Sequence, residues 1–197
     1  MVPLGFKVAT VIPFLKKPGA DVMELENFRP ISLLPFPAKI LEKHATHALN
    51  NPLLEGRFLH PLQAGFRAGH STEAVMASVL DDLHKAADMN QSTALILLKL
   101  SAAFDMVEHS ILIYHPAETG LVSAALRWFS SFLEGRVQSV TLGEFSSPSA
   151  VLKCGEPQGS SLSRLLFNVY IQPLLARLAH MQCQIYNYTD DTQLLLC

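Results

Sequence analysis

Gln184-Ile-Tyr-Asn-Tyr-Thr-Asp-Asp-Thr-Gln-Leu-Leu-Leu-Cys197 sets two adjacent acids, Asp190 and Asp191, between two stretches that read as strands. Period-two alternation puts Tyr186 and Tyr188 on one face, and the leucines after Gln193 form a short, bounded apolar run. The simplest geometry is a tight hairpin carrying both acids. Neighbouring carboxylates repel, and Asp is common in solvated turns, so an exposed turn is one reading. The other is a pair of hard oxygen ligands held beside a sheet for Mg²⁺, which takes carboxylates, water and phosphate oxygens. The upstream sequence bears on that choice.

The chain has 197 residues, 49% of them hydrophobic, enough for one compact unit or two small lobes with a real core. Its net charge of −2 gives no bulk positive field, so contact with nucleic acid would depend on local placement of basic residues. Cys154, Cys183 and Cys197 are odd in number, widely spaced and without metal-ligand pattern; they read as reduced thiols. The N-terminus has no basic leader, and no run approaches a membrane span. The expectation is therefore an intracellular chain, in cytoplasm or nucleus, with no membrane contact.

Taken in order, Lys7 to Leu15 alternates into a strand, Lys16-Lys17-Pro18-Gly19 is a basic turn, and Asn27 to Leu34 is extended because Pro30 disfavours helix at Arg29. A helix is expected from Pro37 to about Leu49, stopped by Asn50-Asn51-Pro52. Gln63 to Thr72 is a glycine-punctuated loop before a helix capped by Ser71 or Thr72, whose apolar stripe is Val75, Val79, Leu80, Leu83 and Ala87. Thr93 to Leu100 is a nearly continuous apolar run, expected to be a central strand buried on both faces, in which Lys99 is the odd residue. Ser123 to Leu133 is an amphipathic helix with Ala125, Trp128, Phe129 and Phe132 inward. Val137 to Leu142 and Ala150 to Cys154 read as a hairpin, Gly155 to Ser161 as a second glycine-bounded loop, and Leu165 to Leu178 as a helix containing Pro173. The irregular interleaving argues for an α+β layered fold.

Five segments stand in an order and spacing that carries a resemblance: Phe28-Arg-Pro-Ile-Ser-Leu-Leu34, Gln63-Ala-Gly-Phe-Arg-Ala-Gly-His-Ser-Thr72, Leu100-Ser-Ala-Ala-Phe-Asp105, Gly155-Glu-Pro-Gln-Gly-Ser160 and Tyr188-Thr-Asp-Asp191. Together they resemble the reverse transcriptase domain of non-LTR (LINE-class) retrotransposons over nearly the whole chain. The resemblance implies the fingers and palm of a right-handed polymerase, with a mixed or antiparallel palm sheet of four elements packed on helices. It implies a fingers-like region over 1–90 and a palm-like region over 91–197. It also implies Mg²⁺ as cofactor, and an RNA template, a DNA primer and deoxynucleoside triphosphates as partners.

Residue by residue, the resemblance makes Asp190 and Asp191 the hairpin metal acids. Lys16 or Lys17 and Arg29 correspond to residues contacting the triphosphate, Phe104 to the aromatic gate crowding a ribose 2′-oxygen, and Gln158 to a residue beside the incoming nucleotide. Arg67 lies in a family motif without an assigned ligand. The departure is Lys99, which stands where the family carries its other metal-binding aspartate, so the metal site is incomplete; Asp105 lies six residues on and does not replace it. Glu156 and Arg164 depart too, where relatives usually have an apolar residue and proline.

Because the sequence stops six residues after Asp191, the helical thumb is expected to be absent, and the chain to be a fragment of a longer polyprotein or a decayed relic. The leading expectation is a reverse transcriptase domain with its site disabled. The alternatives are a non-catalytic nucleic-acid-binding or protein-interaction domain on the same scaffold, and an active polymerase using an unforeseen acid.

Overall fold

The computed structural model describes residues 1–55, 59–67, 69–114, 123–181 and 183–196. In chain order the strands are β1 (Val8–Leu15), β2 (Phe28–Leu33), β3 (Ala94–Lys99), β4 (Val137–Leu142), β5 (Phe145–Ser146), β6 (Ala150–Val151), β7 (Gln184–Tyr188) and β8 (Asp191–Leu196). The α-helices are α1 (Phe36–Glu55), α2 (Thr72–Asp88), α3 (His109–Tyr114), α4 (Ser123–Leu133) and α5 (Ser163–Ala179). They gather into two compact units, Met1–Leu49 with Phe104–Ser163, and Asn50–Ala103 with Arg164–Cys197, so each unit draws on sequence from both sides of residue 90.

The first unit is built on a mixed sheet of order β2-β1-β4-β5, with β6 also on β4; β1 and β4 run parallel and the other pairs antiparallel. Pro30 sits on β2 at the edge of this order, where a missing N–H costs least. Between β1 and β2 the chain turns through Gly19 at φ +80°, and Lys16 N–H donates to the Asn27 carbonyl at 2.8 Å. Ala9 and Val11 of β1, Ala38 of α1 and Phe129, Phe132 and Leu133 of α4 are buried core residues. Trp128 is only half-buried and stacks on Phe132 with centroids 5.5 Å apart; the Ala125 side chain falls outside the described residues.

The second unit carries a three-stranded antiparallel sheet of order β3-β8-β7. A parallel bridge between Gln63 and Asn187 attaches Leu62–Ala64 to its β7 side, so the fourth element of the expected sheet is a short bridge. Ser71 caps α2, its Oγ accepting from Ala74 N–H at 3.2 Å. Val75 and Val79 of that helix pack with Ala64, Tyr186 and Leu195 in one buried cluster.

Three expectations are corrected and one helix is added. α1 does not stop at Asn50 but continues through Pro52 to Glu55; proline removes one helical N–H and is not an absolute stop. In α2 the inward small residue is Ala86, while Leu80 and Ala87 face solvent, because the helix packs through Val75 and Val79 on Ala64, Tyr186 and Leu195. α3 gave no separate periodic signal in so short a run. Most consequentially, β3 is neither central nor buried: β8 is its one partner among the described residues, all six positions are exposed, and Leu97 is 70% exposed. A continuous apolar run reports burial only if both faces acquire cover.

Candidate active site

β7 and β8 form a two-residue hairpin closed by the Tyr188–Asp191 pair, with Thr189 and Asp190 at its tip. A two-residue hairpin turn puts a positive φ at its first central position, which favours Gly or Asn; here Thr189 takes φ +57°. Two features hold the threonine there. Asn187, fully buried, donates through Nδ2 to the Thr189 carbonyl at 3.0 Å, the Asp191 carbonyl at 3.3 Å and Thr192 Oγ1 at 2.9 Å. From the other side Gly65 presses on the turn so closely that an added Cβ would lie 2.4 Å from Thr189 N.

The glycine-punctuated loop is thereby a support for the hairpin. Ala64 N–H donates to the Asn187 carbonyl at 2.8 Å and Asn187 N–H to the Leu62 carbonyl at 3.2 Å. Asn168 and Gln172 of α5 brace the loop from below, through Gly65 O at 2.9 Å and Gln63 Oε1 at 2.5 Å. Arg67 is spent locally, its Nη1 lying 3.4 Å from the carbonyls of His60, Pro61 and Gln63. Tyr186 donates from its hydroxyl to Asp82 of α2, and that hydrogen bond holds the Asp82 carboxyl below its usual range.

The β3–β8 register places Lys99 directly opposite Asp191. Lys99 Nζ lies 3.0 Å from Asp191 Oδ1 and 3.5 Å from Asp190 Oδ2, and Leu100 N–H donates to the Asp190 carbonyl at 3.1 Å. The hydrogen bond to Asp191, followed by the charges of Asp190 and Asp191, holds the ammonium above the usual lysine range. Asp190 also accepts from Thr189 Oγ1 at 2.8 Å. The Lys99 side chain is 71% exposed, so the pair is a solvated one and not the buried ion pair an interior strand would have required. Among the described residues no three His, Cys, Asp or Glu side chains are grouped to hold a metal ion. The donor set at the hairpin is two carboxylates with an ammonium on their oxygens, which does not fit a divalent cation.

Lys16, Lys17, Arg29, Phe104 and Gln158 belong to the first unit. Lys16 and Lys17 are exposed at the β1–β2 tip, and Arg29 is exposed on β2 opposite Phe14. Phe104 and Gln158 are brought together by backbone pairing of their loops. Glu156 N–H donates to the Phe104 carbonyl at 3.0 Å and Gly155 N–H to the Val107 carbonyl at 2.8 Å. Gln158 is fixed again from β2, its carbonyl accepting from Ser32 N–H at 2.7 Å.

Sequence reasoning missed what anchors this second loop. Glu42 on α1, buried, accepts from Ser161 N–H at 3.1 Å and lies 3.8 Å from Arg136 Nη2. Arg136, equally buried, covers the Phe132 ring and donates through Nε to the Phe132 carbonyl at 2.8 Å. Glu156 completes the cluster with neither carboxyl oxygen hydrogen-bonded, while the nearby Ser163 hydroxyl donates to the Pro157 carbonyl at 3.2 Å. Burial pushes the Glu156 carboxyl well above its ordinary range, against the opposing pull of Arg136.

The five motif segments thus fall on β2, on the paired hairpin and its supporting loop, and on two interlocked loops. Residues 15–197 match the family described as reverse transcriptase (RNA-dependent DNA polymerase). The chain belongs to the reverse transcriptase family. It is 31% identical, over 98% of its length, to a probable RNA-directed DNA polymerase from transposon BS of Drosophila melanogaster, covering 22% of that protein. It is 30% identical, again over 98%, to the RNA-directed DNA polymerase from mobile element jockey of Drosophila funebris, covering 21% of it. The reverse transcriptase domain is of the non-LTR retrotransposon class, and the chain spans about a fifth of these relatives' length. Among solved structures, apo telomerase from Candida tropicalis matches 99% of the chain and 44% of that protein, at TM-score 0.72 and 14% identity. Telomerase from Candida albicans, solved with a fragment of telomeric RNA, matches 98% of the chain and 38% of that protein at TM-score 0.69 and 12% identity. These likenesses show the fold, an α+β polymerase fold of fingers and palm type. Among the described residues no helix is long and apolar enough to cross a membrane.

Proposed function

We propose that this domain derives from an RNA-directed DNA polymerase and is impaired in metal-dependent nucleotidyl transfer. The observation that carries the reading is the Lys99 ammonium at 3.0 and 3.5 Å from the two hairpin carboxylates. Nucleotidyl transfer by two metal ions needs carboxylates converging from more than one strand to neutralise the attacking and leaving oxygens. Replacing the β3 carboxylate with an ammonium alters the local charge by two units and occupies the oxygens a cation would take. Asp190 and Asp191 are the retained metal acids in this reading, and Lys99 is the residue in place of the third.

The nucleotide-contacting residues are Lys16, Lys17 and Arg29 through charge and donor groups toward phosphate oxygens, Phe104 as the sugar gate, and Gln158 beside the incoming nucleotide. An RNA template, a DNA primer and deoxynucleoside triphosphates are the substrates of the parent activity, with 1–90 serving as fingers and 91–197 as palm. A purely scaffolding nucleic-acid-binding role is less favoured, since the chain carries 15 basic against 17 acidic residues. Primer extension on an RNA template, with Mg²⁺ or Mn²⁺, is expected to show no product with the wild-type chain and measurable product with Lys99→Asp. Extension by the wild-type chain at the level of Lys99→Asp would overturn the reading.

A further inference from the structure

We propose that Asp105 is a positioning residue for Gln158, fixing its amide so that the oxygen Oε1 is presented to a hydrogen-bond donor on a bound nucleotide. This deepens the nucleotide reading of Gln158 and rests on it. Gln158 Nε2 lies 3.0 Å from Asp105 Oδ1 and 3.3 Å from Oδ2. A carboxylate only accepts, so the face of the amide turned toward it must be the NH₂. The amide is planar, and Oε1 is therefore directed away from Asp105. Left alone, a glutamine amide can present either end; the carboxylate removes that choice.

The surrounding backbone shows that the two residues are held at a set distance. Besides the two hydrogen bonds joining Gly155 and Glu156 to Val107 and Phe104, His109 Nε2 lies 2.7 Å from the Gly155 carbonyl. Gly155, at φ +78°, approaches Asp105 so closely that a Cβ would meet the Asp105 carbonyl oxygen at 2.6 Å. The glycine allows the loop bearing Gln158 to lie against the segment bearing Asp105. The chemical class of ligand is a nucleoside triphosphate offering a sugar hydroxyl or a base amine.

The test is calorimetric titration of dTTP and dCTP, with Mg²⁺ present, into the full chain and its Asp105→Asn, Gln158→Met and doubly substituted forms. Gln158→Met is expected to weaken binding about tenfold, the worth of one hydrogen bond. Asp105→Asn, whose own amide can face Gln158 either way, should weaken it severalfold, and the double variant should bind no more weakly than Gln158→Met. Equal losses for both nucleotides assign the donor to the sugar, and a loss for dCTP alone assigns it to the base amine. Wild-type affinity in Asp105→Asn alongside a loss in Gln158→Met, or additive losses in the double variant, would overturn the positioning role alone. No loss in Gln158→Met, or no binding by the wild-type chain, would overturn the nucleotide reading and the inference with it.

Discussion

Replacing Glu156 by methionine, which has a similar volume and no charge, should stabilise the protein and remove a pH dependence. In the wild type both Glu156 oxygens are buried without a hydrogen-bond partner, facing Arg136 and a second buried acid, Glu42. An unsatisfied buried polar group costs about 1–3 kcal/mol. Because burial raises the folded-state value well above the ordinary 4.5, the folded chain keeps a proton that the unfolded chain releases. Stability is then full below the unfolded value and falls as pH rises toward the folded one. One linked proton changes stability by roughly 1.4 kcal/mol per pH unit, so the wild type should lose about that much for each unit the pH rises within that window, a loss that Glu156→Met escapes. Protonated Glu156 offers Arg136 no charge to lose, and Arg136 keeps Glu42 and the Phe132 carbonyl, which leaves a net gain expected within that window. Urea denaturation of both proteins from pH 5 to 8 reads this directly. Equal pH slopes, or a Glu156→Met chain less stable throughout, would refute the reasoning.

Gly65→Ala should destabilise by about 1–3 kcal/mol, because the new methyl would meet Thr189 N at 2.4 Å and Thr189 Cγ2 at 2.7 Å and must push backbone aside; a denaturation midpoint unchanged from wild type would contradict the supporting role of that loop. In a cycle of Lys99→Met, Asp190→Asn and both together, stability changes should be non-additive at low salt and become additive toward 1 M, as befits an exposed ion pair. Strict additivity at low salt would mean that Lys99 is uncoupled from the hairpin.

The hairpin was legible because its signals are local: alternating tyrosines, an acidic tip and a bounded leucine run lie within fourteen residues. What holds it was not. Asn187 read as one more strand residue, and nothing in Thr189 announces a positive φ; the buried amide and the close approach of Gly65 impose it through tertiary contact. Likewise Glu42 and Arg136 look like surface charges on a helix and at a strand end, since their pairing joins distant parts of the sequence. β3 was misread for the opposite reason. Its composition describes what the strand could bury, whereas its place at the edge of the order β3-β8-β7 decides how much it does. Lys99 stood out in either case, because an ammonium in an apolar run needs a partner or water, and here it has both.

The central claim is that Lys99 occupies the oxygens a divalent cation would take, and Mn²⁺ binding measured by electron paramagnetic resonance tests it most directly. With the wild-type chain the free-ion signal should persist through millimolar Mn²⁺, whereas Lys99→Asp should remove it at substantially lower concentration. Equally tight Mn²⁺ binding by both proteins, lost on Asp190→Asn, would contradict the account.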